Sequence, residues 1–277
     1  NITNLLRDAS IIALISAGMT MALLTGGLDL SVGSMLAVSG VFSASLTVYG
    51  FLPALLLPLL ITTFLGMVSG IIISKAKIQP FIVTLSMMMA GRGLALAFSN
   101  ETPIASSIKS GFYVILGRGY IFNIPISVVI MLVIYLIVWY LLDKTSFGRS
   151  IYAIGGDEKA ANLMGINVDL VKIMVYALSG LFAGLAGVIQ TSYLGVGSPN
   201  AGESYELDAI ASAVIGGTLL TGGYGKIEGT LVGAIIIAMI GNILNLVGVI
   251  SWYQWVIRGF ILIIAVVLQN RMKGNKK

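Results

Sequence analysis

The sequence predicts an all-α fold, a polytopic bundle of membrane helices forming a single transmembrane domain over 1–277. Three observations predict it. The chain is 57% hydrophobic and only 10% charged, with a mean hydropathy of +1.01, whereas soluble domains carry about 25% charged residues. Apolar runs near the bilayer-crossing length of about 20 residues recur along the whole chain. Among them lies one long polar stretch, 143–172, reading DKTSFGRSIYAIGGDEKAANLMGINVDLVK. A helical bundle tolerates this much apolar surface because each helix satisfies its own backbone in lipid. The 34 glycines predict close helix packing, since small residues let backbones approach.

Nine candidate spans follow in order: 9–24, 34–49, 51–73, 81–99, 125–142, 173–194, 207–221, 229–248 and 255–269. The first two and the seventh are short, and Gly-interrupted short segments mark broken helices near a transport path. The third and fourth are parted by a turn carrying Lys75 and Lys77. The sixth carries Gly180, Ala183, Gly184 and Gly187, the four-residue spacing of close helix contacts. Trp252, Tyr253 and Trp255 form an aromatic belt at the start of the last span, and Arg258 beyond them is expected to snorkel.

Charge sets the orientation. Lys75, Lys77, Lys144, Arg149, Lys159, Lys172, Lys226, Arg271, Lys273, Lys276 and Lys277 fall on one side, taken as cytoplasmic, and only Arg7, Lys109 and Arg118 on the other. This places 74–79, 143–172 and 222–228 together inside, and Asn1 outside. A chain made from the cytoplasm reaches that position most simply through one earlier helix, so ten spans are expected in the natural protein and nine here. The first four and last four spans would then run in opposite senses, the pattern of an inverted repeat. Leu28-Asp29-Leu30-Ser31-Val32-Gly33-Ser34 after the first span is echoed by Leu194-Gly195-Val196-Gly197-Ser198 after the sixth; chance likeness between Gly-rich turns would give the same echo.

Composition also excludes chemistry. There is no Cys and no His, which removes thiol catalysis, Cys/His zinc sites and His-based triads. The net charge of +5 sits in short loops and at the C-terminus, so it is not a nucleic-acid footprint. Gly222-Gly223-Tyr224-Gly225-Lys226 fails as a phosphate loop, because Ile227 follows the lysine and Leu220 stands where the first glycine belongs. No ATP site is expected in this chain.

Within the polar stretch Asp157 is a good helix N-cap, Glu158 suits the first turn, and Gly165 can end the helix in the left-handed conformation. A two-turn helix presenting Ala161, Leu163 and Met164 is predicted, either for a partner or as an incidental turn of a connecting loop. Candidates for a translocation path or gate are Asp29 and Ser31 in the first Gly-rich break, Arg92 inside the fourth span, and Gln190, Asn242 and Asn245 on later spans. Asp29 could equally cap the following helix, Arg92 could lock helices through carbonyls or a carboxylate, and the amides could serve as helix glue. Neutral donors and acceptors suit an uncharged polar solute. Glu203, Glu206 and Asp208 form an acidic cluster expected on the outer face, as a docking patch or ordinary solvated charge.

Three motifs in order resemble one family. Gly148-Arg149-Ser150-Ile151-Tyr152-Ala153-Ile154-Gly155-Gly156-Asp157, with Ala160-Ala161 and Gly165-Ile166-Asn167, resembles the coupling loop of bacterial ATP-binding-cassette permeases for ribose and related monosaccharides. Leu24-Thr25-Gly26-Gly27-Leu28-Asp29-Leu30-Ser31-Val32-Gly33-Ser34 resembles its N-terminal motif. Tyr205-Glu206-Leu207-Asp208-Ala209-Ile210-Ala211, with Gly216-Gly217-Thr218 and Gly222-Gly223, resembles its C-terminal one. The resemblance runs from Asn4 to Asn270 and implies a multi-pass subunit of the bacterial inner membrane, itself without cofactor and not an enzyme. It implies a second permease chain, ATPase subunits that hold ATP and magnesium, and a periplasmic or lipid-anchored sugar-binding protein. Gly148, Arg149, Gly155, Gly156, Asp157, Glu158, Ala160, Ala161, Leu163, Met164 and Gly165 would meet the ATPase, and Glu203, Glu206 and Asp208 the binding protein. Tyr224 stands where ribose-type members carry a basic residue, which leaves the sugar open; a nucleoside or sugar-like signal is the alternative cargo. An ion-coupled secondary transporter expects membrane carboxylates on several helices, and has no use for the polar stretch.

Overall fold

The computed structural model describes residues 2–108 and 111–274. Asn1, Lys109, Lys276 and Lys277, which enter the orientation argument, lie outside the described residues. The helices are α1 (Ile2–Leu24), α2 (Val32–Leu46), α3 (Phe51–Lys75), α4 (Pro80–Ser99), α5 (Phe112–Arg118), α6 (Ile126–Lys144), α7 (Ser146–Gly156), α8 (Glu158–Leu163), α9 (Val168–Leu194), α10 (Tyr205–Ile215), α11 (Ile227–Leu246) and α12 (Ser251–Gly274). Pro80 opens α4, where its missing N–H costs nothing. Asn167 caps α9 by accepting from Leu170 N at 3.0 Å, and Gly195 ends it at φ +77°.

α1 is buried all round from Ala9 to Leu24, so it lies at the centre of the bundle. It packs on α9, α10 and α11, while α9 packs in turn on α2 and α3. Two further sets of contacts correspond: α2 on α3 and α4, α10 on α11 and α12. The neighbours of α1 to α4 therefore repeat in α9 to α12, which is the packing expected of two related halves. The small residues of α9 act as predicted. A Cβ at Gly180 or Gly184 would overlap Thr62, and one at Gly187 would overlap the Leu36 carbonyl.

Among the described residues seven helices, not nine, are long and apolar enough to cross a bilayer. The predicted seventh span is in fact α10, 11 residues long, followed by a turn; its length allows only half a crossing. The ninth falls in α12, 24 residues long, of which Trp252–Ile264 is the described apolar stretch. The expectation that 74–79, 143–172 and 222–228 share one side is met. Lys75 pairs with Asp169 at 2.7 Å, and Tyr152 OH donates to the Gly225 carbonyl at 2.9 Å. The opposite end gathers 47–50, 100–108, 111–125 and 195–197: Ile104 and Ala105 pair antiparallel with Gly197 and Val196, and Arg118 Nε donates to Tyr193 O at 2.7 Å. There Arg7 is buried between the rings of Tyr120 and Tyr193, 4.9 and 4.8 Å from their centroids.

Candidate coupling surface and broken crossings

The polar stretch is two helices rather than one. α7 is amphipathic, with Gly148, Ile151 and Ile154 buried against the bundle. Thr145 caps it, accepting from Gly148 N at 3.3 Å, and a Cβ at Gly148 would overlap the Leu141 or Leu142 carbonyl, so glycine lets the chain reverse tightly out of α6. Burial, with Glu228 and Asp143 nearby, pushes the Tyr152 hydroxyl above its ordinary value, so it remains a neutral donor to Gly225. α8 is capped as predicted: Asp157 Oδ1 accepts from Lys159 N at 2.9 Å and Ala160 N at 3.0 Å. Gly165 has φ +83° with open space around it. Ala161, however, is fully buried. Its side chain belongs to the buried core of the bundle, and Ile166 N closes the helix end on its carbonyl at 3.1 Å. The presented residues are Leu163, 88% exposed, and Met164, 70% exposed, with Lys159 and Asn162 beside them. Glu158 pairs with Lys172 at 2.7 Å, tying α8 to α9. A groove of about 850 Å³ runs between α8 and the 77–80 turn, lined by Lys77, Gln79, Lys159, Asn162, Asn167 and Asp169, among others. Arg149 and Gly156 are exposed on α7, and Ala160 is half-buried.

Two crossings are broken. In the first, 25–31 runs non-helically between α1 and α2. Asp29, 1% exposed, accepts from Ser31 N at 3.0 Å, Ser31 Oγ at 2.5 Å and Ser179 Oγ at 2.6 Å. Its carboxylate thus fixes the turn that enters α2 and ties it to α9, while the N-cap of α2 is Ser31 without a side-chain cap bond. In the second, 195–204 leads into α10. Arg92 Nη1 donates to Pro199 O at 2.5 Å and Ala201 O at 2.8 Å, clasping α4 to that loop, with Glu203 and Glu206 within electrostatic reach. The crossings meet where Gly33 abuts the Gly202 carbonyl. Gln190 Nε2 lies 3.5 Å from the Tyr205 hydroxyl at the start of α10. Asp29, Ser31, Arg92 and Gln190 therefore attach to the two breaks. Asn242 and Asn245 sit on the last turns of α11, where Asn245 Oδ1 accepts from Gln254 Nε2 at 2.9 Å.

A family model described as branched-chain amino acid transport system, permease component, matches residues 1–266. The chain belongs to this permease family. Relatives of the permease carry other cargo names. A ribose import permease protein of Bacillus subtilis (strain 168) is 49% identical over 98% of this chain and 85% of its own length. One of Haemophilus influenzae is 44% identical over 100% and 87%. A D-allose transport system permease protein of Escherichia coli (strain K12) is 38% identical over 98% and 83%. No solved structure matches the permease. It is a multi-pass membrane protein, a permease subunit whose partners these likenesses do not name.

The acidic cluster of the permease is not one surface. Glu203 is exposed and Glu206 half-buried, but Asp208 is 2% exposed and paired with Arg258 at 2.8 Å. Asp208 cannot greet a partner, and Arg258 does not snorkel; burial in the bundle drives the two together across α10 and α12. Sequence reasoning separated these residues by 50 positions and had no signal to join them. It also missed α7, whose buried positions 148, 151 and 154 are spaced as a helical stripe visible in the sequence.

Proposed function

We propose that this permease is the membrane-spanning subunit of an ATP-driven importer of a monosaccharide, ribose or a close relative, coupled through 143–172 to a separate ATPase. The observation that carries the reading is likeness to ribose import permeases over nearly the whole chain, at 42–49% identity. The branched-chain amino acid wording of the family model does not set the cargo, since D-allose and xylose permeases also match. Arg92 and Asp29 at the breaks are engaged by protein partners, in keeping with a neutral, hydroxylated solute. α8, with Leu163 and Met164 uncovered, supplies an apolar tip for a groove in the ATPase. A second permease chain, this one or a paralogue, completes the pore, and a periplasmic or lipid-anchored binding protein delivers the sugar.

The test is uptake of labelled ribose into vesicles holding the permease, its ATPase and the binding protein. ATP-dependent accumulation, lost without the ATPase, is expected. Accumulation driven by an ion gradient with the ATPase absent would sink the reading.

A further inference from the structure

We infer that Gly155 and the Gly222–Gly223 turn, pressed backbone to backbone against Leu24–Gly26, form the joint that carries a displacement of the polar segment into both broken crossings. The inference rests on the reading that α8 receives the ATPase. Leu24 is the last residue of α1, and the first break begins just after it. Gly222 and Gly223 lie in the turn between α10 and α11, so they reach the second break, 195–204, through the half-crossing helix α10. Gly155 lies in the last turn of α7, with only Gly156 and Asp157 between it and α8. Three segments far apart in sequence thus meet at one point.

They meet through backbone alone. Gly223 N donates to the Leu24 carbonyl at 3.0 Å. A Cβ at Gly155 would overlap the Leu24 carbonyl oxygen and the Gly223 nitrogen. One at Gly222 would stand 2.7 Å from Gly26 N and 3.0 Å from Gly155 O, and one at Gly223 2.9 Å from Gly156 N. A contact of this kind has no rotamers with which to absorb a push, so it moves as a unit or opens. α7 is held down beside it by buried Ile151 and Ile154 and by the Tyr152–Gly225 hydrogen bond. By contrast, the ion pair of α8 to α9 includes a Glu158 that is 55% exposed, and an exposed pair holds weakly. The stiff route from α8 therefore runs through α7 and the glycines. These are positioning residues: they line no solute path themselves, but they fix where the two breaks sit relative to the driven helix.

Two variants test this in the whole complex in vesicles, reading sugar uptake and ATP hydrolysis together. Gly155→Ala forces the three segments apart. In the complex that assembles, ATP hydrolysed per sugar moved is expected to rise by about tenfold or more. A merely structural role would lower the amount of assembled complex and leave that ratio unchanged, and an unchanged ratio overturns the joint. The second variant uses the absence of native Cys. Gly156→Cys with Tyr224→Cys, bridged by a short bismaleimide, ties the polar segment to the turn. Parts that move as one should transport equally well bridged or unbridged; loss of transport on bridging, with each single-Cys chain unaffected by the reagent, shows that they separate in the cycle and overturns the joint. If the Gly155→Ala chain does not assemble, the bridged pair decides alone. Failure of the docking reading looks different, since the ATPase would then co-purify unchanged with a chain altered at Leu163 and Met164.

Discussion

At the scale of single residues, the costly groups are buried charges, and each described one has a partner set. Asp208 is 3% exposed in its side chain and Arg258 24%. Breaking a buried pair from one side leaves an uncompensated charge, at a cost of about 3–5 kcal/mol. Arg258→Met is therefore predicted to lower the thermal stability of the detergent-purified permease strongly, and Arg258→Met with Asp208→Leu to restore most of it. Equal stability of the two single and double variants would show that the pair contributes nothing. Leu163 and Met164 sit at the other extreme, uncovered on a capped helix. Leu163→Asp with Met164→Asp is predicted to leave insertion and stability unchanged but to abolish ATPase co-purification and uptake. Normal uptake by that chain would reduce α8 to a connecting turn.

Elements differ in how much side-chain volume their surroundings admit. α8 has one face against the bundle and one in water, so neighbouring positions should respond oppositely. Ala161→Arg places a charged chain where no exposed surface remains and is predicted to destroy folding; Asn162→Arg, one residue on and exposed, is predicted to fold normally. Size-exclusion profiles of the two chains check this, and a monodisperse Ala161→Arg permease would mean that α8 swings free of α9. α9 is the reverse case, packed on three helices through its small residues. Gly184→Leu drives a side chain into Thr62 and away from the Ser39 hydroxyl that donates to the Gly184 carbonyl at 2.6 Å. It should separate α9 from α2 and α3 and lose the folded protein, whereas Gly93→Leu on α4, where nothing lies within 4 Å, should be tolerated.

For the whole molecule, orientation is the property on which every functional statement depends. Basic residues cluster at the end that holds 143–172, and the observed contacts join 75–79, 143–172 and 222–228 at that end. Single cysteines report on it cleanly in a chain that lacks them. Lys159→Cys is predicted to react with an impermeant maleimide only in inside-out vesicles, and Tyr49→Cys, at a residue 75% exposed at the opposite end, only in right-side-out ones. The reverse result would invert the topology and remove the ATPase from α8. The paired packing of α1 to α4 and α9 to α12 sets the two breaks side by side, Gly33 against Gly202, so that one joint can serve both.

The sequence by itself determined the class, the apolar helices, the cap at Asp157, the turn at Gly165, the close packing of α9 and the set of segments sharing one side. Each rests on local properties: hydropathy over a window, the hydrogen-bonding reach of one side chain, the freedom of one glycine, the distribution of charge. What only the tertiary structure decided is how distant residues meet. Whether 207–221 crosses the membrane or halts halfway depends on where the 195–204 loop begins, which composition does not encode. Whether Ala161 faces a partner or its own bundle depends on where α9 lies relative to α8. Arg92 finds the Pro199 and Ala201 carbonyls, Asp208 finds Arg258, and Gly155 finds Leu24 and Gly223, all through packing of helices whose order in the chain says nothing of their order in space.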